Sequence, residues 1–88
     1  MPYIDKSARG VIETQMRLPL IDNAGQLNYC MTRLAQHYLE CQAGVTGEYR
    51  YRHFNDIVGA MECCKHELYR RLIAVYEDKK IAENGDVF

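Results

Sequence analysis

Two pairs of metal-ligating side chains stand at helical spacing, His37 with Cys41 and Cys63 with His66. Together they have the makings of a Cys2His2 zinc site. Their faces argue against it. At about 100° per helical residue, Cys41 falls in the apolar stripe of its segment, whereas Cys63 lies about 180° from Phe54 and His66 about 120°. The second pair therefore points away from the seam, and no metal is expected. A cysteine nucleophile would need a histidine or a helix N-terminus to hold its thiolate. Cys63 and Cys64 fall mid-helix, where the macrodipole does little. The chain also has no Gly-rich phosphate loop, no Ser-centred elbow and no carboxylate pair in an apolar setting. The reading is non-enzymatic, without a cofactor.

Lys65 is the more informative residue, because it falls near the centre of an apolar stripe beside Met61, Leu68 and Leu72. Lysine is seldom buried without a counter-charge. Tyr69 follows one turn on, and Arg70, Tyr76, Lys79 and Lys80 lie farther along, so a cationic and aromatic strip is expected down this element. Asn28, Tyr29 and Arg33 form a second group, with Tyr29 and Arg33 at i, i+4 opposite the apolar stripe of their own segment. The competing readings are that Lys65 snorkels past the helix edge and that Tyr29 and Arg33 are an ordinary surface pair.

The elements that must position these residues are helical. In "IDNAGQLNYCMTRLAQHYLECQAG", Asn23 and Gln26 have capping-box spacing and Gly44 stands where a helix stops. Leu27, Cys30, Met31, Leu34, Tyr38 and Cys41 share one face between them. A longer helix is predicted from His53 to Val75, carrying Phe54, Ile57, Val58, Met61, Cys64, Leu68, Leu72 and Val75 as a stripe. Upstream, Ala8, Val11, Ile12 and Met16 predict a first helix shortened or kinked by Gly10 and Pro19. "GVTGEYRYR" reads as an ordered loop, since a lone strand has nothing to pair with. "YEDKKIAENGDVF" reads as a short helix capped at Gly85, with Val87 and Phe88 folding back to dock. The expected fold is all-α: one domain over residues 1–88, a helical hairpin with a packed N-terminal helix and a short capped C-terminal helix.

At 88 residues, 48% hydrophobic and 26% charged, the chain is globular but small, hiding roughly 60–65% of its unfolded surface. Self-association into a homo-oligomer is a natural source of further burial. A net charge of −1 with no basic half gives no broad footprint for nucleic acid, which ranks a distant third among partners. No stretch is long and apolar enough to span a membrane. The four cysteines form no C-x-x-C pair, and no basic n-region leads an apolar run, so a reduced, cytoplasmic chain is expected.

Three blocks, "GQLNYCMTRLAQHYLE", "FNDIVGAMECCKHELYRR" and "YEDKKIAENGDVF", resemble successive parts of a family of small uncharacterised proteins found mainly in bacteriophages and prophages, a domain of unknown function. The resemblance covers residues 25–88, is most specific in the last block and is loose before residue 25. Val75 stands where a proline often precedes Tyr-Glu-Asp in that family. The resemblance implies a phage context, hence the host cytoplasm during infection, and brings no activity with it. Two functions are expected to compete. One is a homo-oligomer binding an anionic small molecule through Lys, Arg and Tyr side chains, with a host nucleotide signal as the ligand a phage would sequester. The other is an interaction module docking on a host or phage protein through its Tyr-Arg surface.

Overall fold

The computed structural model describes residues 4–88, which form helices and connecting loops with no strand among them. The first helix, α1, runs Lys6–Gln15. Asp5 caps it, its carboxylate accepting the Ala8 N–H at 2.8 Å, and Met16 leaves it in extended backbone. Gly10 is accommodated inside, and Pro19 lies beyond the end.

The second helix, α2, spans Ala24–Ala43. Its start is capped nearly as the spacing predicts: Asn23 Oδ1 accepts the Gln26 N–H at 2.8 Å. The return bond from the Gln26 side chain goes one residue further back, accepting the Asp22 N–H at 2.6 Å. Its end comes at Gly44, which turns to φ +56.

The long helix differs from expectation. It begins as α3, Tyr51–Leu68, passes through a π-turn at Tyr69–Ile73 and continues as α4, Ala74–Asn84. At the π-turn the Ala74 N–H donates to the carbonyl of Tyr69, five residues back. The expected short, separate C-terminal helix is therefore replaced by one uninterrupted helical rod, about 50 Å long at 1.5 Å per residue. The extra residue in the turn rotates everything after it by about 100° relative to a continuous α-helix. Val75 consequently leaves the stripe assigned to it and Tyr76 comes to its bearing, just as the half-buried Ile73 comes to that of Leu72. Glu77 and Asp78 lie inside a continuing rod, so the predicted match of charge order to an isolated helix dipole does not arise.

Burial is far below what the stripes imply. The described residues group into two units with the boundary inside α2, one up to Leu34 and one from Ala35 to Phe88. In the first unit α1 has no buried residue, and Leu18 and Leu20 stand in solvent. Leu27, Met31 and Leu34 on α2 are likewise exposed. In the second unit burial centres where α2 ends and α3 begins, on Ala43 and on His53, which is 3% exposed. Tyr49 meets Phe54 edge to face at 6.3 Å, and the Thr46 hydroxyl donates to the Ala43 carbonyl at 2.9 Å.

The Tyr38 hydroxyl donates to Asp56 Oδ2 at 2.9 Å, linking α2 to α3. That hydrogen bond to Asp56, followed by burial, raises the phenol above its ordinary pKa of 10.0. A raised folded value means that the bond's stabilisation is complete below pH 10 and is lost as the phenol ionises above it. Tyr38→Phe should therefore remove one step from the alkaline unfolding curve followed by circular dichroism. An unchanged curve above pH 10 would show that the bond contributes nothing.

The tail also departs from expectation. Gly85 does cap the rod, at φ +85 with its N–H on the Ile81 carbonyl at 2.8 Å. Val87 and Phe88 do not fold back: they are 93% and 111% exposed. The ψ of Gly85, 154°, explains this, because it sends the chain outward instead of through the left-handed turn that returns a tail to its helix. No helix among the described residues is long and apolar enough to cross a membrane.

Candidate functional site

The strip predicted on the long helix is partly assembled at the π-turn. Lys65, His66, Tyr69, Arg70 and Ala74 line one shallow, open concavity. Helical spacing brings Lys65 and Tyr69 onto adjacent turns, and Arg70 lies within the π-turn.

Lys65 is not a buried lysine. Its side chain is 59% exposed and its ammonium lies 3.0 Å from Glu62 Oε1, one turn back. His66 Nε2 lies 3.1 Å from the same Glu62 oxygen. The hydrogen bond from Lys65, then that from His66, holds the Glu62 carboxyl below its usual range. Arg70 is 3.8 Å from Glu67 and Arg71 is 2.6 Å from it. Each cation of the concavity thus has a carboxylate about one turn away, in pairs that water reaches.

The other predicted residues do not line this concavity. Tyr76 and Lys80 are farther along α4, where the Lys80 ammonium sits 5.5 Å from the Tyr76 ring centroid and 3.2 Å from Glu83. Lys79 is exposed beside them. Asn28, Tyr29 and Arg33 belong to the first unit. Asn28 uses its carbonyl to accept the Thr32 hydroxyl at 3.0 Å. Tyr29 lines a separate groove with Pro19, Leu20, Asn23, Gln26 and Cys30, and Arg33 is exposed on the next turn.

Sequence reasoning missed two participants. The sequence reading gives His66 only as a zinc ligand facing away from the seam, yet it lines the concavity; its position next to Lys65 is the available signal. The sequence reading gives His53 only as the start of a helix. Its Nδ1 accepts the Arg50 N–H at 3.0 Å while its own N–H donates to the Arg50 carbonyl at 2.9 Å. A histidine three residues into a helix, in place of the usual Glu or Gln, was the sign of that reciprocal cap.

Among the described residues no three His, Cys, Asp or Glu side chains converge as metal ligands. His37 Nε2 and Cys41 Sγ approach to 3.5 Å, whereas His66 is engaged by Glu62. The concavity offers exposed cationic donors and an aromatic ring, which is chemistry for binding an anion.

No curated protein and no solved structure matches the chain. Residues 1–87 match the family described as a domain of unknown function, DUF6899, and the chain belongs to that family. The match includes the first 24 residues, where the resemblance noted from the sequence is loose.

Proposed function

We propose that this family member is a non-enzymatic protein that homo-oligomerises and binds an anionic small molecule through Lys65, Tyr69 and Arg70. The observation that carries the reading is the convergence of these three side chains on one concavity at a π-turn, a helical irregularity that recurs at functional sites. The carboxylate pairs do not block it. Exposed ion pairs are worth about 1 kcal/mol or less, so a phosphate accepting two hydrogen bonds from Arg70 can displace Glu67. Tyr69 supplies a face on which a base can stack. Given the resemblance to phage-borne proteins, the ligand we favour is a nucleotide signal of the host, sequestered in its cytoplasm as counter-defence.

A second reading, a module docking on another protein, is favoured by the apolar groove beside Tyr29. Thermal-shift measurements with cyclic and linear nucleotides and with inorganic phosphate distinguish the two. Binding at the concavity predicts a higher unfolding midpoint with a nucleotide, lost in both Lys65→Met and Arg70→Gln while helix content stays at the parent level. Absence of any shift in the parent across the nucleotide panel would overturn the anion reading.

A further inference from the structure

A reactive cysteine needs an accessible sulfur with a base beside it. On α2 the structure supplies that pair away from the concavity: His37 Nε2 lies 3.5 Å from Cys41 Sγ, and both residues are exposed. Their i, i+4 spacing sets the two side chains on neighbouring turns of one face. With the ring proton assigned to Nδ1, Nε2 accepts the thiol hydrogen. Both residues fall in the second unit.

The other thiols lack this arrangement. Cys30 is half-buried, and Cys63 and Cys64 are exposed but mid-helix on α3. His66, one turn beyond Cys63, has its Nε2 on Glu62 at 3.1 Å. Of the four free cysteines, only Cys41 therefore has a histidine in hydrogen-bond reach among the described residues. Its place near the end of α2, just before Ala43, matters as well. The negative end of a helix dipole favours a cation and disfavours an anion, so it supports an imidazolium on His37 and not a thiolate standing alone. Proton transfer to His37 is thus what makes this sulfur a nucleophile.

We propose that Cys41 is a site of reversible S-thiolation, with His37 as its base and a low-molecular-weight disulfide as the co-substrate. His37 Nε2 takes the thiol proton as the Cys41 sulfur attacks one sulfur of the disulfide. A new S–S bond forms, the old one breaks, and the leaving thiolate recovers the proton from the imidazolium. Cys41 is oxidised to a mixed disulfide and half of the reagent is reduced to a thiol, so atoms and electrons balance. A second thiol reverses the exchange by the same route. The site shares no residue with the concavity and stands whether or not an anion binds there.

Oxidised glutathione added to the intact, reduced chain tests it, with adducts located by peptide mass mapping over a time course at neutral pH. Cys41 should be modified first, about tenfold faster than Cys63 or Cys64, a small share of what a positioned base supplies in an enzyme. His37→Gln should bring Cys41 down to the rate of those two and leave theirs unchanged. The ratio of Cys41 to Cys63 within each variant is the reading, so any general loosening of the chain cancels. Dithiothreitol should restore the unmodified mass. Equal rates at the three exposed sulfurs overturn the proposal, as does a fast Cys41 that His37→Gln leaves fast. The first outcome removes the reactive site; the second leaves accessibility, without a base, as the cause of its reactivity.

Discussion

Replacing His53 with alanine is expected to cost about 2–3 kcal/mol of folding stability, the usual penalty for stranding a buried polar partner and emptying its place. The imidazole is 3% exposed, and its Nδ1 is the acceptor for the Arg50 N–H at 3.0 Å. Removing it leaves that N–H unsatisfied where the loop enters α3. With Nδ1 accepting, the proton of the neutral ring is assigned to Nε2, which has no hydrogen-bond partner among the described residues. The site thus gains from one nitrogen and loses from the other. His53→Gln, which keeps a side-chain acceptor and is a usual residue at this third helical position of a reciprocal cap, should recover a substantial part of the loss, about 1 kcal/mol. Urea unfolding of both variants checks this. If alanine and glutamine had the same midpoint as the parent, the reciprocal cap would be energetically silent.

The second large effect is expected in the loop that follows α2. Gly44 and Gly47 have φ of +56° and +68°, and a Cβ built on either meets nothing within 4 Å. The penalty for a side chain is therefore one of backbone conformation alone, about 1–2 kcal/mol for each residue. The double variant Gly44→Val/Gly47→Val should lose about 2–4 kcal/mol if the two are additive, and a β-branched residue sits at the unfavourable end. Gly44→Asn/Gly47→Asn should lose much less, because asparagine tolerates the left-handed region. Equal unfolding midpoints for the valine and asparagine pairs would show that steric freedom is not why glycine stands there.

Much of the helical layout was legible because it is written locally. Asn23, Gln26 and Gly44 mark the ends of α2 through bonds spanning only a few residues, and those bonds form close to where the spacing puts them. The apolar period likewise identifies the stripe on α3. What the period does not encode is what lies against a stripe, and so the sequence reading expects cover for Leu27, Met31 and Leu34 that their own unit does not provide. The π-turn was invisible for a different reason. Leu72 and Val75 continue the stripe in an α register, while Ile73 and Tyr76 continue it after one extra residue, so the pattern accepts both. At the candidate site, Lys65, Tyr69 and Arg70 were legible because one helix places them within two turns. Their grouping with Asn28, Tyr29 and Arg33 had no such local basis.

The π-turn gives the long rod a property that neither α3 nor α4 has alone. Five residues, Tyr69–Ile73, offset the phase of everything downstream, so Tyr76 and Lys80 are carried around the rod while α3 keeps its own orientation. Side-chain phase on either side of the turn is tied to the count of residues within it. Changes of residue type along α4 alter chemistry at a fixed bearing. A one-residue deletion within the turn would instead restore a continuous α register and swing the whole of α4 back by about 100°, altering no side chain outside the turn and redirecting all of those beyond it. The helix therefore has a length-encoded steering joint, through which the direction faced by its C-terminal cations varies independently of their identity.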